Sequence, residues 1–211
     1  MMDWTFKSSD VVNEFDAHVR EQLPWYELVT ESIVYIARNY LPKGGLVYDI
    51  GASTGNMTGA LQELLEERYS VVYAVEESKE MCEVFKTRFP LTVMIEGDAT
   101  EIEYQRFDVA IVMLTAMFFP VEKQQQFFQN LYNNLKQGGA IIVVDKSCDE
   151  DGYFATVMKR LTMYWKLRNG ATPENILKKE LSLSGVQRPI VMNGAKQFFQ
   201  LGEFKGWVIE K

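Results

Sequence analysis

Short β-branched runs alternate with stretches of helical spacing through the last two thirds of the chain. This is the pattern of βαβ units and a mostly parallel sheet. Leu46-Val47-Tyr48-Asp49-Ile50 reads as a first strand. Met57, Leu61, Leu64 and Leu65 then fall on one face of a helix running to Arg68. A second strand over 71–75 leads to Ser78, a side-chain cap for the helix carrying Met81, Val84 and Phe85, and a third strand follows over 91–95. The run 108–113, apolar after Asp108, suits a strand buried on both faces. The next helix holds Phe127, Phe128, Leu131 and Leu135 and is expected to close at Gly138-Gly139, before a fifth strand over 140–144. Residues 197–200 and 206–209 read as two strands joined by a tight turn near Gly202.

Two segments fall outside the alternation. Leu28, Val29, Ile33, Val34, Ala37 and Leu41 have the spacing of an amphipathic helix, expected to cover the sheet edge. Residues 147–193 form a helical insertion before the last two strands. In its first helix, about 153–168, Phe154, Val157, Met158, Leu161, Tyr164 and Trp165 share one side. That stripe reads as core packing or a dimer face in preference to a substrate wall. The chain is thus expected to be one α/β domain over 1–211, doubly wound around a mostly parallel seven-stranded sheet. Residues 1–44 would be its N-terminal helical cover.

Composition narrows the function. The 211 residues are 47% hydrophobic and 24% charged, ordinary globular usage for one domain. A net charge of −7 argues against a broad nucleic-acid surface, although Lys159-Arg160, Lys166, Arg168 and Lys178-Lys179 keep an RNA acceptor in view. No basic-then-apolar leader and no apolar run of about 20 residues is seen, so a cytoplasmic, membrane-free protein is expected. Cys82 and Cys148 are expected to be idle thiols, and with the single His18 they supply no metal cluster. His18 itself reads as a helix-surface residue.

The most informative segment is Asp49-Ile50-Gly51-Ala52-Ser53-Thr54-Gly55, a strand running into a small-residue turn and a helix. Gly51 and Gly55 allow backbone to approach a ligand, and the helix start offers N–H groups to an anion. A dinucleotide fingerprint needs a glycine where Ser53 stands, so NAD and FAD fit poorly. S-adenosylmethionine (SAM) has no pyrophosphate and tolerates Ser53. Glu76 and Glu77 close the second strand about twenty residues on, where an acidic side chain accepts ribose hydroxyls. Asp98 follows the third strand and can accept the adenine amino group, with Ala99 packed on the base.

These motifs resemble the class I SAM-dependent methyltransferases, a Rossmann-like family. Within it the resemblance is to the carboxy-SAM synthases of tRNA wobble-uridine modification. It spans nearly the whole chain and is carried by Asp3-Trp4-Thr5-Phe6, Leu23-Pro24-Trp25-Tyr26, Val47 to Ser53, Ile95-Glu96-Gly97-Asp98, Gly138-Gly139-Ala140 and the Phe199 to Lys211 ending. The resemblance implies SAM as cofactor, contact from Tyr26, and a homodimer. Two positions depart from the synthase pattern. Leu114 stands where that group has asparagine, and Glu180, after Lys179, stands where it has the arginine that binds the extra carboxylate. A glutamate would repel that carboxylate, so the expected function is methyl transfer to an unidentified small-molecule or RNA acceptor. Carboxy-SAM synthesis and a non-catalytic SAM-binding module are the alternatives. Tyr26, Tyr164 and Glu180 are the candidates for orienting or deprotonating an acceptor.

Overall fold

A computed structural model describes residues 9–147 and 151–211, with side chains from Asp16 onward. The chain enters through α1 (Ser9–Gln22) and α2 (Tyr26–Tyr40). The alternating part then runs β1 (Leu46–Ile50), α3 (Asn56–Arg68), β2 (Val71–Glu76), α4 (Lys79–Arg88), β3 (Val93–Glu96), β4 (Phe107–Met113), α5 (Val121–Asn134) and β5 (Leu135–Lys146). The insertion supplies α6 (Gly152–Arg168) and α7 (Pro173–Ser182), and the hairpin β6 (Lys196–Leu201) and β7 (Phe204–Glu210) ends the chain.

The seven strands lie in the order β3-β2-β1-β4-β5-β7-β6. β1 to β5 are parallel, and β7 runs antiparallel between β5 and β6. Strand order reverses between β1 and its neighbour β4, which opens a crevice at the carboxyl ends of those strands. The central strands read as unbroken apolar runs because both faces are covered. Val47, Val109, Ile111, Ile142 and Val144 face one core with α2 and α3, whereas Tyr48, Ala110, Val112, Ile141 and Val143 face the other with Phe127 and Leu131 of α5.

Four expectations need correction. Leu91 is fully exposed and the third strand begins only at Val93, since an apolar residue beside Pro90 cannot be told from a strand start by pattern alone. α5 ends at Asn134, not at Gly138-Gly139, because Leu135 turns extended and already pairs with Phe107. The Leu28–Leu41 helix covers a sheet face over β4 and β5 instead of the edge, with Val29, Ile33 and Ala37 buried there and Leu28 left outside. The α6 stripe is not core: Phe154 and Tyr164 are about half exposed, and only Thr162 and Lys166 of this helix are buried. Cys82 is a buried free thiol, while Cys148 and Asp3-Trp4-Thr5-Phe6 lie outside the described residues.

Candidate functional site

The crevice contains a cavity of about 440 Å³ roofed by α1 and by the insertion. Its floor is the β1–α3 turn. Gly51 adopts φ +75°, and a Cβ there would lie 2.1 Å from Thr115 Oγ1, so only glycine fits. Ile50 O and Met113 O accept hydrogen bonds from that same Thr115 hydroxyl, at 3.1 and 3.0 Å. Gly55 caps α3 at φ +93° with the Phe89 ring against it. It shapes the turn without lining the cavity.

The turn's N–H groups serve the protein first. Gly51 and Ala52 donate to Val75 O, Ser53 donates to Glu76 Oε2 at 2.9 Å, and Gly55 donates to Ala52 O. Asp49 lies beneath, fully buried, accepting from Thr58 Oγ1 at 2.6 Å. Burial pushes its carboxyl up to about 6, against the opposing effect of the Thr58 bonds.

Glu76 and Glu77 stand at the end of β2, both on the cavity. Burial raises the Glu76 carboxyl, while N–H groups of Ser78, Ser53 and Glu77 hold it in place. One carboxylate thereby fixes the relative positions of two loops. Met81, Val75 and Ala99 supply an apolar slot beside these acids. Asp98 is placed differently from its expected role. It does not line the cavity, its Oδ1 accepts from Thr100 N and Oγ1 at 2.8 and 2.7 Å, and Lys123 lies 3.5 Å from Oδ2. Burial raises its carboxyl, but the Thr100 bonds and Lys123 together leave it below the usual range.

The roof comes from residues that periodicity alone did not single out. His18, Val19 and Gln22 of α1 and Leu23 just after it face the cavity, and Tyr26 at the start of α2 closes one side. Trp25 anchors that corner, its ring 5.2 Å from both Phe199 and Phe204. Asp16 ties α1 to the floor. Its Oδ1 accepts from Thr54 Oγ1 and Asn56 Nδ2, and its Oδ2 from Arg88 Nη1 at 2.9 Å. The Tyr26 hydroxyl is pushed up to about 12 by burial, partly offset by its bond to Asn56. Gln22 is 3% exposed, and among the described residues its Oε1 has no hydrogen-bond partner. Such an acceptor at a cavity wall calls for a donor from a ligand.

The opposite end carries charge. Lys146 of β5, Lys166 of α6, and Lys179 and Glu180 of α7 all line it. Glu180 lies 3.2 Å from Lys166 Nζ and 3.9 Å from Lys146 Nζ. Burial would raise its carboxyl, yet Lys146 and Lys166 hold it below the usual range. Lys179 Nζ is 2.9 Å from His18 Nε2. Burial and the Lys166 charge press the Lys179 ammonium down to about 8, and burial with Lys179 and Lys166 takes His18 to about 4. Lys166 and Lys179 thus line the cavity, and His18 is half-buried at its wall instead of lying on the outer helix surface. Glu180, expected to repel an anion, has Lys146 and Lys166 beside it. Tyr164 stands outside on α6, stacked edge-on with Trp165. Leu114 does line the cavity, at φ +56°.

Residues 47–139, from β1 into β5, match the family model described as a methyltransferase domain. The match spans 93 of the 211 residues and covers the cavity floor. Along its whole length it is similar to carboxy-S-adenosyl-L-methionine synthase of Staphylococcus epidermidis, 28% identical over 204 residues that cover 96% of this chain and 89% of the relative. A solved chain from Methanococcus maripaludis, assigned to the S-adenosyl-L-methionine-dependent methyltransferases, superimposes with a TM-score of 0.59 at 18% identity, covering 100% of this chain and 96% of that one. The S-adenosylmethionine-dependent methyltransferase of Clostridium acetobutylicum gives 0.50 at 22% identity over 64% of this chain, which spans only 57% of that structure's length. These structures share the fold of the methyltransferase domain. Its cavity sits at the carboxyl ends of β1 and β2, the place that fold reserves for ligands.

Proposed function

We propose that the protein binds SAM in the crevice and transfers its methyl group to a second substrate held between α1, α6 and α7. The carrying observation is the match between the cavity and SAM's functional groups. Glu76 and Glu77 offer acceptors to ribose hydroxyls, Met81, Val75 and Ala99 pack on adenine, and the partnerless Gln22 Oε1 faces a donor such as SAM's ammonium. Tyr26, Asp49, Gly51, Ala52, Ser53 and Leu114 complete the wall, and Gly55 and Asp98 act from behind it by shaping their loops.

SAM supplies an electrophilic methyl group when bound. The chain's residues then have only to align a nucleophile with it and exclude water, a task for a roofed cavity and not for a catalytic triad. The reading includes a single domain over 1–211 and a cytoplasmic homodimer, the latter supported by the exposed apolar side chains of α6. No helix among the described residues is long and apolar enough to cross a membrane.

A second reading, carboxy-SAM synthesis for tRNA modification, draws support from the similarity over 96% of the chain and from the lysines that neutralise Glu180. One experiment separates the readings. Mass spectrometry of the ligand released from purified protein, with calorimetric titration of SAM and S-adenosylhomocysteine, should find SAM or its demethylated product. A carboxylated derivative would favour the second reading, and no binding of either nucleoside would refute both.

A further inference from the structure

Gln22 is a polar side chain of the roof that the fold leaves unserved. It is 3% exposed, it lines the cavity, and among the described residues no donor reaches its Oε1. A buried carbonyl without a donor is destabilising, which is why such groups are few and mark places where a donor arrives from outside the chain. The roof around it is tied down and gives α1 little room to shift. Asp16 holds α1 to Thr54 and Asn56, the Tyr26 hydroxyl is bonded to Asn56, and Asn169 Nδ2 donates to the α1 carbonyls of Arg20 and Glu21 at 2.8 and 2.6 Å. Lys179 approaches α1 at His18, one turn before Gln22, and does not donate to Gln22 Oε1.

SAM carries three kinds of donor, which are the adenine amino group, the ribose hydroxyls and the ammonium of its amino-acid end. The first two belong with the apolar slot of Met81, Val75 and Ala99 and with Glu76 and Glu77. The ammonium is left for α1. Asp49 favours a cation there, because it lines the cavity under the β1–α3 turn and its charge acts on the Tyr26 hydroxyl beside α1.

We propose that Gln22 decides which nucleosides the cavity keeps: its carbonyl accepts the ligand's ammonium, and a nucleoside without that amine is rejected. The inference rests on the SAM reading above and deepens it by naming a specificity-determining residue and the sign of its effect on the empty protein. Gln22 Oε1 is unsatisfied before the ligand arrives and satisfied after it. Removing the acceptor should therefore stabilise the empty protein and weaken ligand binding, whereas a residue that merely supported the roof would lower both.

The test is a thermodynamic cycle by calorimetry. S-adenosylhomocysteine and its deamino analogue, in which hydrogen replaces the amine, are titrated into the whole protein and into Gln22→Met, a change of similar length that removes the acceptor. The wild type is expected to bind S-adenosylhomocysteine at least about tenfold tighter than the analogue, the size of one charge-assisted bond. Gln22→Met should reduce that ratio at least about fivefold by weakening S-adenosylhomocysteine and leaving the analogue unchanged, and should move the urea midpoint of the empty protein upward at constant slope. Gln22→Glu, which keeps an acceptor, should preserve the ratio. An unchanged ratio in Gln22→Met, a lower urea midpoint, or a ratio lost equally in Gln22→Glu would each overturn the proposal. So would equal weakening of both nucleosides, the mark of an amide turned to give its Nε2 to the ligand's carboxylate. If neither nucleoside binds the wild type, the SAM reading fails and takes the inference with it; binding of both with no dependence on Gln22 defeats the inference alone.

Discussion

Replacing Gly51 with alanine forces a Cβ into space that Thr115 already fills. An alanine at φ +75° costs about 1–2 kcal/mol in backbone conformation alone. The added carbon would also lie 2.1 Å from Oγ1 and 2.6 Å from Cγ2 of Thr115, so that side chain must turn away from Ile50 O and Met113 O. Losing those contacts adds roughly 1 kcal/mol, for a total of about 2–3 kcal/mol. Thr115→Ala alone should cost about 1 kcal/mol, since it removes the hydroxyl and nothing else of consequence. In the double variant the contacts with Oγ1 and Cγ2 are gone and only the 2.9 Å approach to the Cβ of residue 115 remains, leaving mainly the backbone term and the lost hydroxyl, about 2–3 kcal/mol in all. The two changes should therefore be non-additive by about 1 kcal/mol, the hydroxyl contacts being lost only once. Urea unfolding of the four proteins, at constant slope with denaturant, measures this directly. Additivity within about 0.5 kcal/mol would show that Gly51 is not held against Thr115, and that the floor of the cavity is misread.

Two further perturbations probe other parts of the site. Glu76→Ala should weaken SAM binding by at least about tenfold in calorimetry, because it removes a ribose acceptor and also frees the N–H groups of Ser53 and Ser78; an unchanged affinity would exclude Glu76 from the SAM pocket. Asp145 is fully buried, accepts N–H groups from Lys146, Met117, Thr115 and Ala116, and is pushed up to about 7 by that burial. A carboxyl raised in the folded state contributes stability that is complete below its unfolded value of 3.8 and is lost as pH rises through 7. Unfolding free energy should accordingly fall between pH 5 and 7.5, and Asp145→Asn should remove about 2–4 kcal/mol of that decline; an identical pH profile in the variant would refute the assignment.

The central strands were legible in the sequence because a strand covered on both faces leaves a largely apolar run, unbroken over 140–144 and interrupted only by Asp49 over 46–50. Element ends were harder. Phe107 and Leu135 pair across β4 and β5, a long-range contact that ends α5 before its local spacing would. In the site, Gly51 to Ser53, Glu76 and Glu77 were legible because their chemistry sits at fixed offsets from strand ends. The roof was not, since His18, Val19, Gln22 and Leu23 owe their role to the packing of α1 over the crevice, through Asp16, Thr54, Asn56 and Arg88. Asp98 illustrates the converse. Its offset from β3 is right, and its carboxylate is nonetheless engaged by Thr100 two residues on.

The placement of β7 bears on how the chain is made. It follows β6 in sequence but lies inside the sheet, pairing with β5 over Ala140 to Lys146. While the ribosome is still producing residues before Phe204, β5 presents a bare edge, and Trp25 at the roof corner lacks the Phe204 ring that later packs on it. Residues near the start must therefore wait for residues near the end, so the roofed cavity completes late, and a nascent or clipped chain exposes an apolar strand edge of the kind that invites pairing with other chains.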